Sequence, residues 1–260
     1  MIKKILLIIS ICILTTPLLA GSWGWTDSFT QLTNWNYQGS SNSLYSWDSQ
    51  NQNIQFNWNS AVTTSHLSHS MDENKIITQN QSFNLEFDLT LSNLSVGSFS
   101  NYPLSIGLYN SSNSNNRSMN IMEWSYYPGT DATYGGPNWL GMSVINNQGS
   151  FMNSKGGNTF YTKAYTLKMD STYHVKLQYN AAEENLKLIM SENGNPLPAF
   201  STLDLSGLTI SLDKFAITNW LDDTPASWGG PATFSASGKI DNISLTYPLA
   251  VSNKYWENLE

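Results

Sequence analysis

Thiol chemistry is almost absent from this chain: its 260 residues include a single cysteine, Cys12. That residue sits inside the apolar run Ile5–Leu14, which follows Lys3 and Lys4 and precedes the small residues Ala20 and Gly21. This is the layout of a secretory signal peptide, and it sets the expected cleavage near Ala20 and the mature start near Gly21. Ile11 before the cysteine and the apolar residues after it do not suit a lipoprotein cleavage site. The exported chain is therefore expected to carry no thiol, disulfide or lipid anchor, and its core alone must hold it together. About 240 residues suffice for one large β-domain that buries roughly 70–75% of its chain surface.

Charge is scarce as well. Asp, Glu, Lys and Arg make up 12% of the chain, and without Lys3 and Lys4 only 10 basic residues face 19 acidic ones, a net charge of about −9. Such a balance argues against a nucleic-acid or anionic-membrane partner, which calls for a basic patch. Asn and Ser together supply about a quarter of the residues. A surface hydrated by neutral amides and hydroxyls suits an exported protein, and it equally follows from the drift of an AT-rich genome toward Asn.

After Leu14 no apolar run reaches the roughly 18–20 residues of a membrane span, and no repeat appears at solenoid or propeller spacing. One soluble domain, residues 21–250, is expected. Residues 251–260 are expected to form a short tail, with Tyr255 and Trp256 docking on the domain. Cofactor loops, nucleophile elbows and zinc signatures are missing. His66 and His69 are three apart, so on a strand they face opposite sides and make no ready metal pair.

Helical periodicity is absent too, and period two takes its place. Gln52–Trp58 sets Ile54, Phe56 and Trp58 against Asn53, Gln55 and Asn57. Phe83–Leu91 sets Phe83, Leu85, Phe87, Leu89 and Leu91 against Asn84, Glu86, Asp88 and Thr90, and Tyr173–Tyr179 alternates likewise. These patterns predict half-buried antiparallel strands. Further strands are expected at Leu104–Tyr109, Leu140–Ile145, Phe160–Leu167, Leu186–Met190, Leu212–Asn219 and Phe234–Tyr247, separated by turn clusters rich in Asn, Gly and Ser. A dozen short strands without helices imply an all-β fold of two packed sheets, an antiparallel β-sandwich or jelly roll.

Ser118–Tyr134 places a carboxylate among aromatics within a strand pattern. Alternation puts Glu123 on one face with Ile121, Ser125 and Tyr127, and puts Asn120, Met122, Trp124 and Tyr126 on the other. Apolar groups on both faces predict a central strand, where desolvation raises the carboxyl's pKa. Glu123 is then either a structural acid bonded to a Tyr or backbone N–H, or the acid of a site. A second pattern gathers Trp124, Tyr126, Trp139, Trp220 and Trp228 into three segments. Two of these contain Gly-Gly-Pro, at Gly135–Pro137 and Gly229–Pro231. Aromatic faces stack on the C–H faces of sugar rings while Asn, Asp and Gln pair with hydroxyls, so these rings with Asn120 are the candidate ligand contacts. Any one of the tryptophans serves a core equally well.

Five segments taken in order, Asp27–Phe29, Phe83–Leu89, Leu104–Leu108, Glu123–Pro128 and Ser237–Thr246 (SGKIDNISLT), resemble the concanavalin A-like lectin/glucanase superfamily, and more narrowly its exported bacterial members. The resemblance implies a curved jelly roll whose concave sheet carries a carbohydrate groove. Hydrolases of that superfamily place two glutamates on one strand, about 5–5.5 Å apart, for a retaining mechanism. In this sequence Glu123 is followed by Ser125 where the aspartate would stand and by Tyr127 or Pro128 where the second glutamate would stand. Glu86 and Asp88 likewise lack a third partner at Thr90. A hydrolase would need a carboxylate from elsewhere, such as Asp131, Asp222 or Asp223, and a lyase would need a base such as Tyr126 or His174. The resemblance also implies a structural Ca²⁺ held by Asp241 with positions around Trp25–Asp27 and Gly39, since strict alternation puts Asp241 on the apolar side with Ile243 and Leu245. A turn-capping role for Asp241 is the alternative.

These readings converge on an exported sandwich that binds a neutral polysaccharide without cleaving it. A glycoside hydrolase or polysaccharide lyase using Glu123, and an extracellular protein-interaction domain, are the alternatives.

Overall fold

The computed structural model describes residues 23–39, 42–71, 75–97, 104–112, 121–128, 138–145, 151–153, 163–200, 202–221 and 234–248. The expected signal peptide, the 251–260 tail, Asn120, Trp228, Asp131, Asp222, Asp223 and both Gly-Gly-Pro segments lie outside them. In chain order the strands begin with β1 (Trp23–Asp27), β2 (Trp35–Gln38), β3 (Tyr45–Asp48), β4 (Asn53–Asn59), β5 (Ser65–Ser70), β6 (Ile77–Thr78) and β7 (Phe83–Val96). Then come β8 (Leu104–Tyr109), β9 (Ile121–Pro128), β10 (Asn138–Ile145), β11 (Phe151–Asn153), β12 (Lys163–Ala164) and β13 (Thr172–Asn180). The last are β14 (Asn185–Glu192), β15 (Asn195–Pro196), β16 (Leu203–Asp204), β17 (Ser211–Leu212), β18 (Lys214–Asn219) and β19 (Phe234–Tyr247).

Two large antiparallel sheets result. One runs β15-β14-β13-β7-β19-β4-β3, with β1 beside β19 and β16 beside β14; the other runs β11-β10-β9-β8-β18-β5-β2, with β12 beside β10. Strands β17 and β6 form a small pair of their own. None of the described residues forms a helix long and apolar enough to cross a membrane.

Strand β7 shows why the sequence folds this way. Phe83, Leu85, Phe87, Leu89 and Leu91 are all fully buried while the residues between them are partly exposed. Each such side chain contributes about 1.5–3 kcal/mol through removal of apolar surface from water. The long β19 pairs with β7 along nearly its whole length, and alternation slips twice there, between Ser237 and Gly238 and between Asp241 and Ser244. Asn242 adopts a φ of 50° at the second slip, the left-handed conformation that Asn tolerates better than most residues. At the first slip, a Cβ on Gly238 would lie 2.0 Å from the Thr90 carbonyl oxygen, so only glycine fits.

The expected Phe160–Leu167 strand is described only at Lys163–Ala164, and Leu212–Asn219 is two strands, β17 and β18. Strands β1, β2, β3 and β5 were not anticipated, because short segments rich in Ser, Trp and Asn carry little alternation. Polar side chains also tie the sheets together across the core. Asn219 of β18 accepts from Asn59 N at 2.6 Å and donates to Asn59 O at 3.1 Å, while Tyr45 Oη of β3 donates to Ile217 O of β18 at 3.0 Å.

Candidate functional site

Buried apolar residues of this chain fall into two groups. Nearly all belong to one cluster between the sheets, but Tyr109, Tyr127, Trp139, Ala216 and Trp220 are buried without joining it. All five share the opposite face of the eight-stranded sheet. Strand pairing explains this: residues opposite each other in a ladder point the same way, and neighbours along a strand alternate. Leu104, Ile106 and Leu108 of β8 enter the core, so Ser105, Gly107 and Tyr109 turn outward. On β9, Met122, Trp124 and Tyr126 enter the core and Glu123, Ser125 and Tyr127 turn outward. Ser143 of β10 stands opposite Glu123, Gly141 opposite Ser125, and Trp139 opposite Tyr127. On the other side, Ala216 and Thr218 of β18 and His66 and Ser68 of β5 continue the same rows.

Hydrogen bonds run along this face. Ser125 Oγ lies 2.8 Å from Ser143 Oγ, and Tyr127 Oη lies 2.9 Å from the same Ser143 oxygen. Ser125 also donates to Glu123 Oε1 at 3.4 Å, and Trp220 Nε1 donates to Ser105 Oγ at 2.6 Å. Glu123 is 4% exposed. Burial pushes its carboxyl up to about 8, against the smaller opposing pull of hydrogen bonds from Ser105 and Ser125. At neutral pH it is therefore mostly the protonated acid, able to donate as well as accept. The Tyr127 hydroxyl is raised by the same burial.

A second group lies toward β5. His66 Nδ1 is 3.1 Å from Thr218 Oγ1, and burial holds the imidazole down at about 4, so it is neutral across the physiological range. Its ring stacks on Tyr109 with centroids 5.7 Å apart and meets Trp220 edge-on at 6.2 Å.

The expected site residues are thus divided between layers. Glu123, Trp139 and Trp220 share the outer face. Trp124 and Tyr126, read from sequence as ligand contacts, are fully buried in the core instead. Trp124 meets Phe87 of the opposite sheet edge-on at 6.2 Å, and Tyr126 Oη accepts from Leu167 N at 3.4 Å. Alternation correctly set them opposite Glu123; what it could not supply was which face looks inward, because both faces of β9 are buried. Tyr109, Ser105, Ser143 and Thr218, not singled out by sequence, join the outer face, as does His66, which sequence considered only as a metal ligand and set aside. Their signal was the alternation of β8 and β18, legible only once one residue of each strand is placed.

Neither of the two alternative lyase bases shares the outer face with Glu123. Tyr126 is in the core, and His174 is on the outer face of the nine-stranded sheet, 2.9 Å from Asp88 Oδ1 and 3.3 Å from Glu86 Oε2. Of the positions expected around a calcium ion, Asp241 lies on a different face from the one alternation suggested. Because of the bulge at Asn242, Asp241 points outward opposite Asp88 and does not share a face with Ile243 and Leu245. Burial raises the Asp241 carboxyl, the Asn242 N–H lowers it, and Asp88 raises it further. Asp27 pairs with Ile243 on the inner side, where its two oxygens accept from Phe29 N at 2.6 Å and Trp35 Nε1 at 2.7 Å. Gly39, with φ of 123°, follows β2 in the other sheet and packs against Ser65, where a Cβ would meet Oγ at 2.3 Å. Among the described residues no three His, Cys, Asp or Glu side chains come together as a metal site.

No protein-family profile matches the chain, and no curated protein matches it in sequence. Solved structures do match in fold. A winged bean acidic lectin complexed with methyl-α-D-galactose superposes with a TM-score of 0.56 at 11% identity, over 87% of this chain and 98% of that one. The alginate lyase Aly36B gives 0.52 at 11% identity over 85% and 96%, and a basic winged bean lectin with Tn-antigen gives 0.52 at 11% over 88% and 100%. Sheet order, antiparallel pairing and these likenesses make the chain an all-β, two-sheet antiparallel sandwich with the concanavalin A-like jelly-roll fold.

Proposed function

We propose that this chain is an exported carbohydrate-binding domain that holds a neutral polysaccharide on the outer face of its eight-stranded sheet without cleaving it. The observation that carries this reading is the second buried group, in which Tyr109, Tyr127, Trp139 and Trp220 stand outside the intersheet core beside a polar floor. The floor consists of Ser68, Ser105, Gly107, Ser125, Gly141, Ser143 and Thr218, small buried residues, five of which carry hydroxyls. Rings for stacking combined with hydroxyls for pairing suit a sugar. Shielding from water strengthens each such hydrogen bond.

Charge selects the class of glycan. Lys214, at the start of β18, is the one cation among the described residues whose strand position puts it on this face, and His66 stays neutral. Among the described residues no cation stands beside Glu123 to meet a polyuronate, whereas neutral hydroxyls can exchange hydrogen bonds with its protonated acid. For cleavage by a retaining mechanism, a second carboxylate should lie about 5–5.5 Å from the first. The described partners of Glu123 are serine hydroxyls. Export rests on the Met1–Ala20 pattern, which accords with the cysteine-free mature chain.

Affinity electrophoresis of residues 21–260 through gels containing β-glucans, mannans, xylans, agars and alginate tests the proposal, with each polysaccharide then checked for shortened chains. Retardation by a neutral glycan without shortening is expected. Shortening would move the assignment to catalysis with Glu123 as proton donor. Indifference of the folded protein to every glycan would overturn the reading in favour of a protein-interaction surface.

A further inference from the structure

The outer face holds one polar group that its own network leaves unsatisfied. Tyr109, the last residue of β8, is 4% exposed, and its hydroxyl makes no hydrogen bond. Native structures seldom leave a buried hydroxyl alone unless water or a ligand completes it. Ser68 is the neighbouring hydroxyl, but it donates to Asn36 O at 3.3 Å and is not aligned with Tyr109 Oη. Burial raises the Tyr109 phenol, so it remains a neutral donor and acceptor.

Its surroundings combine buried aromatic rings with small side chains outside the intersheet core. The Tyr109 ring lies parallel to His66 within 19°, and Trp220 closes on the same imidazole at 87°. The row between Tyr109 and His66 contains Gly107, Ala216 and Ser68, all small enough for a ring to lie across them. This group is joined to the Glu123 network through Trp220 Nε1 and Ser105. His66 on β5 and Glu123 on β9 are three strand spacings apart, about 14 Å. One sugar ring cannot touch both.

We propose that Tyr109, with His66 and Trp220, forms a second contact region in which Tyr109 Oη hydrogen-bonds a hydroxyl of an oligosaccharide whose other end lies at Glu123. The proposal rests on the glycan-binding reading above and adds that the recognised unit is a chain of several sugars, laid across the strands.

Tyr109→Phe removes one oxygen and keeps the ring. Mature wild type and this variant are titrated calorimetrically with the monosaccharide and the hexasaccharide of the polysaccharide that retards the protein. Expected is a fall of about three- to tenfold in hexasaccharide affinity, with monosaccharide binding unchanged and Tm equal or higher. Equal hexasaccharide affinity in the two proteins overturns the second region and leaves glycan binding standing. A wild type that binds monosaccharide as tightly as hexasaccharide also overturns it. No binding of either sugar, with no retardation in any gel, overturns both proposals.

Discussion

Replacing Glu123 with Gln should make the protein more stable at neutral pH, and the size of the gain should depend on pH in a defined way. The folded-state acid titrates near 8 and the unfolded one near 4.5, because burial disfavours the carboxylate. Between those values the folded state keeps a proton that the unfolded state has released, so stability falls as pH rises. The slope is about 1.4 kcal/mol per pH unit. By pH 7 the wild type has lost about 3 kcal/mol relative to pH 4.5, and the loss levels off above pH 8. Glutamine resembles the protonated acid in shape and, like it, both donates and accepts toward Ser105 and Ser125. Urea denaturation of both proteins at half-unit steps from pH 4 to 9 isolates this one group, since every other titration cancels in the difference. Near-equal stability at pH 4.5, diverging to about 3 kcal/mol at pH 7 in favour of Glu123→Gln, is expected. A difference that stays constant across the range would show that Glu123 is not a desolvated acid, and the description of the outer face would fail with it.

Four other outcomes follow from the same geometry. His66 is held neutral by burial down to about 4, so its ring resonances should not titrate between pH 8 and 5 by NMR. As pH falls from 6.5 toward 4, the unfolded chain binds a proton that the folded one refuses, and about 3 kcal/mol of stability should be lost there, opposite in sign to Glu123. Gly107→Ala should destabilise by about 1–3 kcal/mol or more, because the new Cβ would lie 2.4 Å from Met122 O and 2.5 Å from Glu123 Cα. A variant as stable as wild type in urea would mean that β8 and β9 are not as closely apposed as described. Trp124→Ala should cost about 3–5 kcal/mol in chemical denaturation by leaving a core cavity, yet leave glycan retention of the folded fraction unchanged. Trp139→Ala should weaken retention in the same gels.

Opposite titration behaviour on one face has a functional consequence. With Glu123 protonated and His66 neutral, Lys214 is the charge that strand position puts on this face among the described residues. The chain as a whole is acidic, with a formal net charge of −7. On the proposed reading, this net negative charge repels polyanions at long range and leaves a neutral glycan unaffected.

Local chemistry determined much of this protein. Period-two alternation in Phe83–Leu91, Tyr173–Tyr179 and Phe234–Tyr247 was sufficient to declare strands, two packed sheets and an all-β sandwich, because burying one face and wetting the other leaves a mark on every second residue. It also determined that Glu123 and Trp124 face opposite ways. Tertiary structure decided the rest. Strands β8 and β9 are buried on both sides, and no pattern of apolar residues can say which side faces the other sheet; the ladder with β10 and β18 does. The inward turn of Trp124 and Tyr126, and the gathering of Tyr109, His66 and Trp220 from β8, β5 and the end of β18, therefore appear only in three dimensions. Asp241 changed sides for a more local reason. A single residue, Asn242 in the left-handed region, shifts the register by one, and a slip of one residue exchanges the two faces of everything on one side of it.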